Sequence, residues 1–534
     1  MLLYLTRTFQ NFYIGNLLLE EGRKQGFMSS LNIECDSCKN VEVLDTSDSV
    51  SRRGTSYDVN RRMVYSSIEI GCGYEGLLTL SSILNMPCMT KSAYHIQLEN
   101  ILEVLESECK DEMKRVGVNV RETVLKENGE VDNGQPVEIA VSFDGTWAKR
   151  GFTSLTGVVF VISLDTGEVL DYHVLSKTCQ KCALKKSKCE NDNEFEEWKM
   201  EHEASNECDI NFHGSSPAME ADGAKVLWER SITSHNLQYQ WMTCDGDSKA
   251  HSAVEEVYPG CKVEKHDCVG HVQKRMGKHL LKLKAATKGK LDDGKTIGGK
   301  GRLTEEKIKK LQKYYGLAIR QNTIGKNSPS EQEIDAAVYQ MKKNIIASLH
   351  HSVQSHDLAK QHRFCPRGET SWCKWQQDKA SGTSTYKGGE CLPPVFLAVL
   401  KPVYMTLSDD NLLKRCVLGA TQNANECING IVWSRCHKQK HHGSKSVRCA
   451  VASSVLQFHC GAASRLVIME KLLIPGGEYT SKSSASKDRK RVSTADVRAT
   501  EKEKKRRQGE KMIRVRREEA LREAEGTTYE AGAF

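Results

Sequence analysis

The stretch VEIAVSFDGTW, residues 137–147, decides how this sequence folds. Apolar residues occupy every second position from Val137 to Phe143, which is the period of a β-strand with one buried face. Two more strand-like runs follow, SLTGVVFVISL and GEVLDYHVL, joined by a tight turn at Asp165-Thr166-Gly167. The three runs predict a meander, and an acid, Asp144, stands on its first strand.

Downstream segments alternate between helical and strand patterns. We predict a helix in ADGAKVLWERSITSH, a fourth strand in LQYQWMTCD, a helix in SKAHSAVEEVY, a fifth strand with its exit in KVEKHDCVGH, and a basic helix in VQKRMGKHLLKLK. Three strands followed by helix, strand, helix and strand is the order of ribonuclease-H-like folds. The sequence therefore predicts an α/β fold with a ribonuclease-H-like mixed sheet flanked by helices. A zinc-binding insert is expected after the third strand, and a large helical insertion further along the chain, before Glu426.

Composition shifts along the chain predict five regions. They are an N-terminal region with helices and the pair Cys35-x2-Cys38 (1–136), the first part of the catalytic core with a cysteine-rich insert at 178–219 (137–284), a helical insertion with a Cys/His cluster (285–404), the C-terminal helices of the core (405–475) and a basic tail (476–534).

The basic charge of the chain is concentrated in this tail. Residues 481–520 hold 15 Lys and Arg against 7 Asp and Glu, an excess equal to the formal net charge of +8 of the 534-residue chain. Its composition predicts a solvated helix or a disordered segment. Phosphate contact or nuclear import is one interpretation, and a solubilising terminus is the equally weighted alternative. The residues predicted to contact phosphate here are Lys504, Lys505, Arg506 and Arg507.

The cysteines indicate metal binding rather than disulfides. Twenty cysteines would suit a secreted protein only if the chain were small or had a signal peptide, and MLLYLTRTFQNFYIGN is too interrupted by polar residues for one. No stretch approaches the ~18 consecutive apolar residues of a membrane span. Several cysteines stand at C-x2-C or C-x2-H spacing, which in a reducing compartment is typical of metal sites.

Three acids are predicted to form a catalytic metal site. Two-metal cleavage of a phosphodiester needs carboxylates that converge where ions sit roughly 3.5–4 Å apart, and Mg²⁺ prefers oxygen ligands. Asp144 is the first acid, and Asp245 directly follows the fourth strand, with Asp247 as the reserve choice. Glu426, in TQNANECING, is the third. Each alone would be an ordinary surface acid, but the order of elements favours catalysis.

Four motifs resemble those of Mutator-like transposases, which belong to the eukaryotic DDE superfamily and have a ribonuclease-H-like core. The motifs are FDGTW around Asp144, DGDSKAHSAVEEVYP beginning at Asp245, HDCVGHVQKR with Cys268 and His271, and NECINGIVWSRCHK with Glu426. The resemblance runs from about residue 57 to the tail.

The resemblance implies Mg²⁺- or Mn²⁺-dependent cleavage and joining of DNA strands in the nucleus. Transposon ends and target DNA would be the partners of a homo-oligomer, and Asp144, Asp245 and Glu426 would be the metal ligands. One motif departs from the family. Such transposases commonly carry an intact N-terminal zinc module, whereas Cys35-x2-Cys38 has no convincing second pair. The interpretation therefore includes an immobile or truncated copy.

A structural zinc site is predicted in the cysteine-rich insert. Cys179-x2-Cys182 and Cys208-x4-His213 form two ligand pairs, and thiolate and imidazole suit tetrahedral Zn²⁺. Cys189 is a substitute ligand. Free thiols in a reduced loop are the alternative.

A second cluster surrounds HRFCPRGETSWC. The chosen ligands are His351, His362, Cys365 and Cys373, while His350 and His356 compete for the same site. Scattered surface histidines are the alternative. Cys268-x2-His271 close to the acids either binds metal or positions the catalytic loop by hydrogen bonds, because two ligands do not make a zinc site.

Lys274, Arg275 and Lys278 on the basic helix are the remaining predicted phosphate contacts, with a solvated helix face as the alternative. A rival function is a non-catalytic, transposase-derived DNA- or chromatin-binding protein held together by its zinc modules. A nuclease without strand transfer would share all of these features.

Overall fold

The structure is a computed structural model that describes residues 16–50, 56–148, 154–189, 191–205, 207–246, 249–325, 329–438, 440 and 442–525. Within these ranges the strands are β1 Leu17–Gln25, β2 Met28–Cys35, β3 Val41–Asp45, β4 Val137–Trp147, β5 Thr156–Ser163, β6 Val169–Ser176, β7 Leu237–Cys244 and β8 Glu264–Asp267.

The α-helices of the described ranges are numbered in chain order. They are α1 Asp58–Ile70, α2 Gly73–Ile83, α3 Lys91–Asn128, α4 Gln180–Lys186, α5 Asp192–Ala204, α6 Met219–Glu229, α7 Ser231–His235, α8 Lys249–Val254, α9 Val269–Ala286, α10 Glu305–Arg320, α11 Glu331–Ser352, α12 Leu358–Gln361, α13 Lys374–Ser381, α14 Phe396–Thr406, α15 Asp410–Lys414, α16 Asn423–Arg435, α17 Ser444–Cys460, α18 Ser464–Lys471, α19 Glu478–Ala499 and α20 Glu501–Glu525.

A five-stranded mixed sheet in the order β6-β5-β4-β7-β8 forms the centre of the fold. β4, β5 and β6 are antiparallel neighbours, as the predicted meander requires. β7 pairs parallel with β4, and β8 pairs parallel with β7. The meander and the parallel strands therefore meet at β4, which places the strand that carries Asp144 in the middle of the sheet.

Both faces of this sheet are covered, which explains why β5 is an unbroken apolar run. Val158 and Phe160 face a core built with helices α3, α16 and α17, whereas Val159 and Val161 face a second core built with α6 and α8. A strand buried on both faces loses the alternation of a half-exposed strand. The structure is thus a mixed α/β fold with helices on both faces of the sheet.

The segment between the fifth strand and the last predicted acid is helical, as expected. Helices α9, α10, α11 and α14 enclose a third apolar core with members such as Leu280, Leu311, Ile345 and Leu400. Because these helices bury apolar side chains against one another, the insertion has a core of its own beside the sheet.

The N-terminal region contains a sheet that the sequence analysis missed. β1, β2 and β3 form an antiparallel sheet, and Gly26 (φ 64°) turns the chain between the first two strands. Nearly all of β1 is exposed, so it shows no alternation of apolar and polar residues. The helices predicted for this region are present as α2 and α3.

The tail is helical and rests on the rest of the protein. Asp488 in α19 accepts hydrogen bonds from the backbone N–H groups of Ala462 and Ala463. Glu519 in α20 accepts from the N–H of Glu305 at the start of α10. Among the described helices, none is long and apolar enough to cross a membrane.

Candidate active site and metal centres

Strand register brings the first two predicted acids to the same edge of the sheet. Ser142 of β4 pairs with Thr243 of the parallel strand β7. Asp144 and Asp245 each follow two residues later, and parallel strands leave the sheet at the same edge. Asp247, the reserve choice, lies outside the described residues.

The third acid reaches this edge from helix α16, and His271 of helix α9 stands between the acids. Its Nδ1 is 2.6 Å from Oδ1 of Asp245, and its Nε2 is 3.7 Å from Oε1 of Glu426. Asn429, one turn after Glu426, donates a 2.9 Å hydrogen bond to Oδ2 of Asp144. The structure therefore brings Asp144, Asp245 and Glu426 together.

One face of α16 holds the helix against β4. Asn425 accepts a 2.5 Å hydrogen bond from the hydroxyl of Ser142, and Trp433 Nε1 donates a 2.8 Å bond to the hydroxyl of Thr146. Asn425, Asn429 and Trp433 recur every four residues, so they share one side of the helix. Glu426 is adjacent to Asn425 in the helix, so these contacts hold the backbone of Glu426 in place beside the sheet.

The acids place strong negative charge around Asp144. Burial, followed by the charges of Asp245 and Glu220, raises the pKa of Asp144 to about 7. The hydrogen bond from Asn429 favours the charged form but does not offset these effects. Sequence reasoning missed Asn429 and Glu220. Asn429 could have been found from its position three residues after Glu426, whereas Glu220, on α6, had no comparable signal.

His271 supplies the opposite charge. Hydrogen bonds to Asp245 and Cys268 raise its pKa to about 10, so the ring is protonated at neutral pH. The same contact lowers the pKa of Asp245. Cys268 accepts a 3.4 Å hydrogen bond from the backbone N–H of Gln422, directly before α16. Cys268 and His271 are thus hydrogen-bonded to each other and to their surroundings, and neither residue belongs to the two Cys/His groups with metal-ligand spacing in the described ranges.

Basic side chains line the cleft beside the acids. The cleft has a volume of about 370 Å³, and its walls include the predicted phosphate contacts Lys274, Arg275 and Lys278. The guanidinium of Arg275 lies so close to Gly246 that a Cβ there would stand 1.5 Å from Nη2. A side chain at residue 246, directly after Asp245, would therefore displace the tip of Arg275 from its present place.

A Cys/His cluster occupies the insert after β6. The ligand atoms of Cys179, Cys182, His202 and Cys208 all lie within 4.8 Å of one another. Cys179 Sγ is 3.4 Å from His202 Nε2, and Cys182 Sγ is 3.6 Å from Cys208 Sγ. Tetrahedral Zn²⁺ with ordinary bond lengths separates its ligand atoms by about 3.3–3.8 Å. The donor set and its spacing therefore fit zinc.

Polarisation of Cys179 supports this fit. Burial opposes ionisation of its thiol, but the backbone N–H of Asp209 and the ring of His202 outweigh burial and lower its pKa to about 7. A thiolate is the form that binds metal.

His202 replaces His213, which the sequence analysis chose wrongly. His213 is exposed and is not a member of the cluster. The backbone N–H groups of Asn211 and Phe212 both donate to the carbonyl oxygen of Ser176 at the end of β6. These bonds direct the chain along the sheet edge and carry His213 away. His202, in the last turn of α5, is buried instead. Cys189, the substitute ligand, is also outside the cluster.

The second predicted cluster is brought together as chosen. The ligand atoms of His351, His362, Cys365 and Cys373 lie within 4.8 Å of one another. His362 Nδ1 is 3.2 Å from His351 Nδ1 and 3.4 Å from Cys373 Sγ. The competitors His350 and His356 are not members. These distances, too, fit a tetrahedral zinc site.

Most of the basic run predicted in the tail is paired within its own helix. Lys504 pairs with Glu501, Arg506 with Glu503 and Glu510, and Arg507 with Glu503. Lys505 is exposed.

The family model for Mutator-like transposases matches residues 7–373. The match covers more than half of the 534 residues and includes Asp144, Asp245 and both Cys/His clusters, while Glu426 lies beyond it. No curated protein and no solved structure matches the chain. The match covers three of the four motifs and confirms the resemblance, and the chain belongs to the Mutator-like transposase family.

Proposed function

We propose that this protein is a DDE transposase that cleaves and joins DNA strands in the nucleus, acting on transposon ends and target DNA as a homo-oligomer. The observation that carries the proposal is the meeting of Asp144, Asp245 and Glu426 around His271 at one edge of the sheet. Strand order 3-2-1-4-5 in the core, with the last two strands parallel to the first, supports a ribonuclease-H-like fold.

The acid cluster fits a hard divalent cation. Burial, followed by repulsion from Asp245, raises the pKa of Asp144, and a cation between the carboxylate oxygens relieves that repulsion. Asp144, Asp245 and Glu426 would hold Mg²⁺ or Mn²⁺. Bound there, the ion supplies Lewis acidity toward the phosphate and lowers the pKa of a coordinated water.

The reaction consists of two displacements at phosphorus. Water attacks the phosphodiester, the bond to the 3′-oxygen breaks, and a 3′-hydroxyl is freed. That hydroxyl then attacks a target phosphodiester, whose own 3′-oxygen leaves. Lys274, Arg275 and Lys278 line the cleft and would neutralise phosphate oxygens. His271 holds the carboxylate of Asp245 in one orientation.

The two Cys/His clusters are proposed to bind structural zinc. The first insert has a very small apolar core, in which Phe195 and Trp198 stack beside the cysteines. A metal ion would supply the cross-link that this insert needs.

Plasmid cleavage tests the enzyme. Purified protein is incubated with supercoiled plasmid and Mg²⁺ or Mn²⁺, beside Asp144→Asn, Asp245→Asn and Glu426→Gln. We expect nicking by the wild type and by Glu256→Gln, an exposed acid of the same region, and none by the three variants. Wild-type protein that binds DNA but never cuts it with either metal would favour the non-catalytic, zinc-containing DNA-binding protein.

A further inference from the structure

Helix α19 in the tail carries a stripe of cations on one face. Lys487, Lys490, Arg491 and Arg498 follow the spacing of three, four and seven residues that places side chains on the same side of a helix. They line one shallow groove together with Thr494, and none of the seven residues that form the groove is acidic. All four cations are exposed. We call Lys487, Lys490, Arg491 and Arg498 the basic stripe.

The helix that bears the basic stripe is fixed to the rest of the protein. Both carboxylate oxygens of Asp488 accept backbone hydrogen bonds from the turn at Ala462 and Ala463, at 2.9 and 3.2 Å. Gly461 leaves room for this carboxylate, because a Cβ there would stand 2.6 Å from it. The side chain of Arg491 is 3.5 Å from the same acid. The stripe is therefore presented on an anchored helix.

The charge and length of the stripe fit duplex DNA. At a rise of 1.5 Å per residue, the distance from Lys487 to Arg498 is about 16 Å, over which a duplex carries roughly ten negative charges. The run at residues 504–507 is less available to DNA phosphates, because three of its four cations form ion pairs with glutamates of their own helix.

We propose that the basic stripe is a second DNA-backbone contact surface, separate from the catalytic cleft, and that it provides the main phosphate contacts of the tail. This inference deepens the proposed function and rests on it for the choice of DNA as partner. We expect the stripe to contact phosphates and so to position the protein on a duplex, a contact that carries no sequence information.

Salt-dependent binding tests the stripe. Full-length protein in the Asp144→Asn background is titrated onto a fluorescent 30-base-pair duplex at several NaCl concentrations without divalent metal. The test variant is Lys487→Gln/Lys490→Gln/Arg498→Gln, which spares Arg491 beside the anchoring acid. We expect the log–log salt slope to become shallower by about 3 and affinity at 100 mM salt to fall at least about tenfold.

Two matched controls isolate the stripe from general charge. Lys504→Gln/Arg506→Gln/Arg507→Gln removes the same number of cations, and we expect its slope to change by less than about 1. Arg489→Gln, on the same helix but outside the groove, should bind better than Arg498→Gln. Equal losses in both triple variants, or none in the stripe variant, would overturn the proposal. A wild type that binds through the stripe yet never cuts plasmid would instead refute the enzyme.

Discussion

Gln422 Nε2 donates a 2.8 Å hydrogen bond to the carbonyl oxygen of Phe143, the residue directly before Asp144. The Oε1 atom of Gln422 is 2.9 Å from His271 Nδ1, so one buried amide touches both the central strand and the helix that faces Asp245. Because Gln422 also directly precedes the helix that carries Glu426, it links the supports of all three acids.

Replacing the side chain of Gln422 should lower the rate of DNA cleavage more than a general loss of stability would. We expect Gln422→Ala to reduce the rate of plasmid cleavage about 10- to 100-fold, because outer-shell partners of metal ligands have effects of that size. Rates are measured at saturating Mg²⁺. Gln240→Ala is the control, since Gln240 is also buried and its amide donates a 2.7 Å hydrogen bond to the carbonyl of Lys262, away from the acids. Equal losses of cleavage in both variants would show that Gln422 acts only through stability.

The acid cluster should make metal-free stability depend on pH. Asp144 has a folded-state pKa of about 7, above its unfolded value, so charging it disfavours the folded state. Its penalty is absent below about pH 4 and is complete above about pH 7. Relative to Asp144→Asn, the wild type should therefore lose up to about 4 kcal/mol of unfolding free energy between these limits.

Chemical denaturation at a series of pH values, without added divalent metal, measures this difference. Asp496→Asn, an exposed acid in the tail, should track the wild type. Addition of Mg²⁺ should remove most of the difference at pH 7.5, because a bound cation compensates the repulsion. Parallel curves for wild type and Asp144→Asn in metal-free buffer would contradict the proposed cluster.

Zinc content should distinguish His202 from His213. We expect two zinc ions per chain in the wild type and one in His202→Ala, whose insert should also become sensitive to protease because it loses its cross-link. His213→Ala removes an exposed histidine outside the cluster and should retain both ions. Elemental analysis of purified protein gives the count, and loss of an ion from His213→Ala alone would restore the original ligand choice.

The buried ion pair at the end of α16 should contribute more to the free energy of unfolding than a more exposed pair does. Arg435 and Glu69 are 3.0 Å apart, with only 3% and 8% of their side chains exposed. We expect Arg435→Ala to cost about 3–5 kcal/mol, because it leaves a buried carboxylate with one partner fewer. Arg448→Ala breaks a more exposed pair with Glu106 and should cost about 1 kcal/mol or less. Urea denaturation compares the two, and similar losses would exclude a special role for Arg435.

Local sequence patterns predicted strands β4 and β7 well because burial controls such patterns directly. The alternation before Asp144 and the apolar run before Asp245 each reflect which side chains of the strand are buried. Strand β1 shows no such pattern in its sequence, since it is exposed along almost its whole length.

Ligand choice in the first insert failed for a different reason. Spacing along the chain favoured Cys208-x4-His213, but backbone bonds from Asn211 to the sheet edge decide where that segment runs. Contacts between distant segments are invisible to motif spacing. Asn429 had a local signal in its position three residues after Glu426, but its bond to Asp144, 285 residues away along the chain, could not be read from motif spacing.

The 285 residues between Asp144 and Asn429 also affect the order in which the parts of the protein assemble. Protein chains leave the ribosome from their N-terminus, and domains fold as they emerge. A nascent chain that has emerged only through the helical insertion holds both Cys/His clusters, Asp144 and Asp245, but not helix α16. The proposed DNA-cutting site therefore cannot assemble until helix α16 has emerged. A nascent chain shorter than this lacks the third acid and is expected to be unable to cut DNA.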